Sequence, residues 1–212
     1  MSEVNAQQVK DLREKTGAGF MDCKTALRES GGDFEGAVRH LRERGLAAAA
    51  KRAGRATAEG QIGSYIHVGG KIGVMIEVNC ETDFVARTDD FQRLVRDLAM
   101  QVAAARPLCV SREEVPEADV VREREIFAAQ AAQSGKPAQV IAKMVDGKIE
   151  KYFAEVCLLE QDYIKEPGKA VRQMVADAIS KLGENITVRR FARFQLGEGS
   201  DQSKGDDGQS QT

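Results

Sequence analysis

Residues 61–78 read QIGSYIHVGGKIGVMIEV, and this stretch decides the fold class. Ile62, Ser64, Ile66 and Val68 alternate with the residues between them, and Ile72, Val74, Ile76 and Val78 do the same beyond Gly69-Gly70. A period of two sends successive side chains to opposite faces. Two such runs joined by paired glycines therefore predict a β-hairpin closed by a tight primed turn. A phosphate loop is the rival reading of the glycines, but no Lys-Ser or Lys-Thr follows in the G-x-x-x-x-G-K-[ST] pattern. A second alternating run, Ile186, Val188, Ala192, Phe194 and Leu196, predicts a last strand able to join the hairpin.

Outward from these strands the periodicity is helical. Upstream, Asn5 can cap a helix carrying Val9 and Leu12 that stops at Thr16-Gly17. A second helix, near Phe20 to Ser30, turns Cys23, Ala26 and Leu27 inward and ends at Gly31-Gly32. Asp33 caps a third, with Phe34, Ala37, Val38 and Leu41 on one face, and Gly45 ends it. So small a bundle has little room for a concave pocket and reads as a binding module. Downstream, Phe91, Leu94, Val95, Leu98 and Val102 share a face, with Asp89 and Asp90 placed to cap them. Pro116 opens a helix containing Val120 and Phe127 that closes at Gly135, and Pro137 opens a short one stopped by Gly147. Ile149, Tyr152, Phe153 and Val156 mark another, and Pro167 opens the last, through Val171, Met174, Val175, Ala178 and Leu182.

The predicted architecture is α+β: a three-helix module over 1–45, a basic helical linker over 46–60, and a core over 61–196 in which a small antiparallel sheet packs with helices. Residues 197–212 carry no large apolar side chain and are expected to be a disordered polar tail. At 212 residues, 42% hydrophobic and 30% charged, the chain has the composition of a packed soluble domain. It has no run of about 18 apolar residues that would span a membrane, and its amino terminus, MSEVNAQQ, does not read as a secretory signal. Cys23, Cys80, Cys109 and Cys157 lie far apart without a C-x-x-C pair, which argues against a zinc site and fits a reducing, cytoplasmic setting. A net charge of −2 is not that of a generic polyanion binder. From Arg39 to Arg55, however, six basic residues face one acid, Glu43. The plain reading is a solvated face. The sharper one is a contact to an acidic partner or to RNA, against which stands the lack of interleaved aromatics for base stacking.

Catalysis finds little support. His40 and His67 are the only histidines, each beside core-type neighbours, and H-E-x-x-H, G-x-S-x-G and G-x-G-x-x-G are absent. Glu77, Glu81 and Asp83 are close in sequence, but alternation separates neighbours onto opposite faces. No enzyme, cofactor or metal is expected. The loop Thr82-Asp83-Phe84-Val85 stands out because it joins strand to helix and carries a large aromatic. Phe84 has two readings: ordinary core beneath the hairpin, or a wedge projecting beside a carboxylate into a partner's pocket.

Five ordered motifs now carry a resemblance: LREKTGAGFMDCKTAL (Leu12–Leu27), GDFEGAVRHLRERGL (Gly32–Leu46), VNCETDFVA (Val78–Ala86), QSGKP (Gln133–Pro137) and KYFAEVCLLEQDYIKEP (Lys151–Pro167). From about Gln8 to Gly199 the chain resembles the bacterial elongation factor Ts family, guanine-nucleotide exchange factors of the translation GTPase elongation factor Tu. The resemblance implies a ubiquitin-associated (UBA)-like amino-terminal module. It also implies that the module grips the GTPase through Leu12, Arg13, Gly17, Phe20, Met21 and Lys24, with Phe20 standing where the family usually has Met. It implies, too, that Thr82, Asp83, Phe84 and Val85 intrude at the GTPase's Mg²⁺ site. Long members carry two core subdomains, and this chain has room for one. It is similar to the short form, for which the family implies a homodimer and a two-plus-two complex with elongation factor Tu. Tyr152, Phe153, Val156 and Cys157 are the expected dimer contact, with internal core as the other reading of that helix. No membrane and no direct nucleic-acid contact are expected.

Overall fold

A computed structural model describes residues 4–198; the predicted polar tail lies, from residue 199 on, outside the described residues. Helix α1 (Ala6–Thr16) starts where Asn5 accepts from Gln7 N at 2.9 Å and Gln8 accepts from Asn5 N, a reciprocal cap, and it stops at Gly17 with φ +68°. Helices α2 (Phe20–Glu29) and α3 (Phe34–Arg52) complete the bundle, the latter capped by Asp33. Val9, Leu12, Cys23, Ala26, Leu27 and Ala37 form its own small core.

Strands β1 (Glu59–Ile66), β2 (Ile72–Cys80) and β3 (Ile186–Gln195) form an antiparallel sheet in the order β1-β2-β3. The fold is thus α+β, with the last strand joining the hairpin. Val74, Ile76, Val78 and Cys80 on one face of β2 meet Phe91, Leu94, Val95, Leu98 and Val102 of α5 (Asp89–Ala105) and Val171, Met174, Val175 and Ile179 of α8 (Val171–Leu182). Each such fully buried side chain stabilises the fold by about 1.5–3 kcal/mol. Helix α5 lies so close to β1 that a Cβ on Gly63 would sit 2.3 Å from a Val95 methyl carbon, so only glycine fits there. Between α5 and α8 in the chain, helices α6 (Glu117–Ala132) and α7 (Ala138–Val156) pack along each other as a hairpin.

Several elements differ from the sequence reading. The turn is not primed: His67 N donates to Ile72 O, Gly70 N donates to His67 O, and Gly69, at φ +91°, takes the third position of that turn. Gly45 and Gly147 do not stop helices. Their flanks have strong helix propensity, so one glycine each, at a cost of about 1 kcal/mol, is absorbed into the 19-residue helices α3 and α7. The Ala-rich stretch expected as a linker is therefore the second half of α3 as far as Arg52. It lies on α8, with Ala49 against the main core, Arg42 Nε donating to Gln173 Oε1 (3.1 Å) and Arg52 Nε donating to Gly183 O (3.0 Å). Thr88, rather than Asp89 or Asp90, caps α5, because its hydroxyl accepts from Phe91 N. Pro167 lies upstream of α8, whose cap is Ala170. In β3 a bulge opposite Glu77/Val78 shifts the phase. Phe191 packs on the core, while Ala192, Phe194 and Leu196 face outward.

Candidate partner-binding site

The Thr82–Val85 stretch forms the start of a one-turn helix, α4 (Asp83–Ala86), between β2 and α5. Thr82 caps it, its hydroxyl oxygen accepting from Val85 N, and Val85 packs against the core beneath. Ala86 packs there too, whereas Asp83 and Phe84 point away. Phe84 is 78% exposed, and Asp83 is half-exposed and takes a 2.6 Å ion pair from Arg87 one turn on. The core reading of Phe84 is thereby excluded in this conformation.

The turn is held by residues about a hundred positions away. Glu184, in the α8–β3 connection, accepts from Glu81 N (3.1 Å), Thr82 N (3.0 Å) and the Thr82 hydroxyl (2.6 Å). In return Glu81 accepts from Asn185 N at 2.6 Å and from Arg55, and these contacts pull its carboxyl below the ordinary range, the Asn185 amide most of all. Asn185 Nδ2 donates to Arg55 O at 2.8 Å. This clasp fixes the backbone that carries Phe84. Neither Glu184 nor Asn185 was singled out from sequence, and no local pattern marks them.

The amino-terminal residues divide. Leu12 is fully buried in the module's core, so its side chain is not on the surface; its helical phase with Val9 already pointed inward. Arg13, Gly17, Phe20, Met21 and Lys24 are exposed about the corner between α1 and α2, with Met21 at 67% and Phe20 at half. Met and Phe on an exposed first turn, beside two basic side chains, suit an amphipathic partner surface.

The residues expected at a dimer contact are partly used within the chain. Cys157 is completely buried, and Phe153 lies under the Arg112 guanidinium at 4.5 Å, with Tyr152 and Val156 half-buried. A larger open apolar surface exists elsewhere. The sheet's outer face presents Ile62, Ile66, Met75 and Phe194, all more than half exposed, with Ile66 and Phe194 flanking Gly73 across the strands. An antiparallel sheet with one face solvated normally alternates apolar and polar residues; here the outer face carries these four apolar side chains beside Ser64 and the Glu77–Arg190 ion pair.

Other candidates resolve into structure. His40 Nε2 sits 2.7 Å from the Glu29 carboxylate, and His67 Nδ1 shares a hydrogen bond with the Tyr65 hydroxyl. Five of the six basic residues between Arg39 and Arg55 are engaged within the chain: Arg39 with Asp33, Arg44 with Asp22, Arg55 with Glu81, and Arg42 and Arg52 on α8 and its end. That leaves little of the cluster to track a phosphate backbone. Among the described residues no three His, Cys, Asp or Glu side chains converge as a metal group, and no helix is long and apolar enough to cross a membrane.

Fold and site together define an α+β protein that exposes apolar side chains on the first turn of α2, on α4 and on the outer face of its sheet. A family model described as Elongation factor TS matches residues 38–198. The chain is 60% identical over 196 residues to elongation factor Ts of Heliobacterium modesticaldum, covering 92% of this chain and 91% of that one. It is 57% identical over 203 residues to that of Geobacter sulfurreducens (96% and 94%), and 57% over 200 residues to that of Thermoanaerobacter sp. strain X514 (94% and 98%). The chain belongs to the elongation factor Ts family.

Proposed function

We propose that this protein is a cytoplasmic guanine-nucleotide exchange factor for elongation factor Tu, acting in translation elongation and not as an enzyme in its own right. Family membership supports the partner. The observation that carries the mechanism is Phe84, 78% exposed on a turn held by Glu184. Exchange is a linkage effect. A protein that binds the nucleotide-free GTPase more tightly than the nucleotide-bound form weakens nucleotide by the same factor, without making or breaking a bond. Asp83 and Phe84, carried by Thr82 and Val85, enter beside the GTPase's Mg²⁺ site and displace what supports the ion. The nucleotide phosphates then lose their charge neutralisation. Arg13, Gly17, Phe20, Met21 and Lys24 grip a helix of the GTPase, the 1–45 module serving as one unit and the 61–196 core as the other.

The chain works as a homodimer in a two-plus-two complex. The second copy covers the sheet's outer face, where Ile62, Ile66, Met75 and Phe194 form a self-complementary patch about a two-fold axis and two sheets can stack as a sandwich. The deciding experiment is release of labelled GDP from elongation factor Tu with and without this protein. Acceleration saturating with its concentration is expected. An unchanged release rate at excess protein overturns the reading.

A further inference from the structure

Cys109 and Cys157 are 48 residues apart in the chain but lie opposite each other on an isolated parallel bridge. Cys109 N donates to Val156 O at 3.2 Å and Leu158 N donates to Cys109 O at 2.9 Å, so the backbone holds the two residues in register. Strands paired in this way lie about 4.8 Å apart, and disulfides span Cα separations of about 4.4–6.8 Å. The two sulfurs are already 3.7 Å apart. Side-chain rotation is enough to close the remaining distance. The Cys23 and Cys80 thiols turn instead to the backbone oxygens of Ala18 and Thr82.

The location gives the pair a consequence. Cys109 lies between α5 and α6, and Cys157 follows α7 directly, so together they close the root of the α6–α7 hairpin. Arg112 strengthens the same root from one side through its pairs with Glu150 and Glu160.

We propose that Cys109 and Cys157 are an oxidisable dithiol, converted by a hydroperoxide into an intramolecular disulfide that ties the α6–α7 hairpin shut at its base. The partly exposed Cys109 attacks first. Its thiolate sulfur takes one peroxide oxygen as the O–O bond breaks, leaving a sulfenic acid and, with hydrogen peroxide, hydroxide. The Cys157 sulfur then attacks the Cys109 sulfur, the S–S bond forms, and the sulfenic oxygen leaves as water with the Cys157 proton. Overall, two thiols and one hydrogen peroxide give one disulfide and two waters, the sulfurs supplying both electrons. Burial keeps both thiols protonated, raising Cys109 above the ordinary range and pushing Cys157 up to about 12. The Glu114 and Glu160 carboxylates act in the same direction on Cys109. The pair therefore responds to sustained oxidant rather than to brief pulses.

The test is to treat the full, reduced chain with hydrogen peroxide, alkylate it in denaturant and map it by mass spectrometry. The expected result is a monomeric product two hydrogens lighter, with Cys23 and Cys80 still alkylated and one peptide linking Cys109 to Cys157. Dithiothreitol should reverse it, and melting should rise by several degrees in the oxidised form only. The conservative Cys109→Ser variant, at a partly exposed position, should lose the link and the melting shift together. Four alkylatable thiols after treatment, a sulfinic acid on Cys109 without a link, or a link between two chains would each overturn the proposal. The peptide map of the unaltered chain decides this even if a variant folds poorly.

Discussion

Phe84→Ala separates a wedge from a core residue by magnitude. A fully buried Phe truncated to Ala costs about 3–5 kcal/mol of stability. Phe84 keeps only about one-fifth of its surface covered within the chain, because the turn points it away from Val85 and the sheet. Its truncation should therefore cost the isolated protein about 1 kcal/mol or less, taking about 25 cal/mol per Å² of apolar area. For a chain of this size that is a fall in melting temperature of about 2–4 °C. In the complex the same ring would be an aromatic anchor in a desolvated pocket, where truncation costs about 2–4 kcal/mol, or roughly 30- to 1,000-fold. The assay is stopped-flow release of fluorescent GDP from elongation factor Tu at sub-saturating factor, beside a thermal melt of each variant. The expected outcome is an exchange defect of at least about 30-fold with a nearly unchanged melt. A melt lowered by more than about 10 °C, or exchange within about twofold of the unaltered protein, refutes the reasoning.

Glu184→Ala leaves two backbone N–H groups and the Thr82 hydroxyl without their acceptor. Its expected cost is about 2 kcal/mol, read from urea unfolding, with exchange falling further than folding alone explains. Phe194→Glu should leave the fold within about 0.5 kcal/mol of its stability, since the ring is exposed in the single chain. In sedimentation equilibrium at micromolar protein it should lower the mass to the 23.1 kDa of one chain; a variant that still sediments as a dimer rejects the sheet-face contact. In alkali, the Cys157 thiol keeps its proton to about 12 in the folded chain, whereas an ordinary thiol loses it near 9. Its contribution is complete below pH 9 and is lost as pH rises toward 12, because deprotonation then favours the unfolded chain. The unfolding free energy from urea titrations should fall by about 1 kcal/mol per pH unit over that window, and Cys157→Ala should flatten the slope.

Much of the fold was legible because its signals are local. A period of two over residues 61–78 and 3.6-residue spacing around Leu98 depend only on near neighbours in the chain, as do the Asn5 and Asp33 caps. The same locality produced the errors. Gly45 and Gly147 carry stop signals by type, yet each sits in a long helix whose remaining residues and tertiary contacts outweigh one glycine. The alternation from Ile186 to Leu196 was real, but the bulge opposite Glu77/Val78 exchanged its faces and turned Phe194 to solvent.

The sequence by itself determined where strands and helices form, that the class is α+β, and that Thr82–Val85 sits between a strand and a helix. Only the tertiary structure decided which side chains are free to act. It placed Phe84 outside the core, brought Glu184 to Thr82 across 102 positions, and set Cys157 against Cys109. The reason is physical. Periodicity and capping are settled by hydrogen bonds a few residues long, whereas exposure and long-range pairing depend on how whole elements pack, and no window of sequence contains that information.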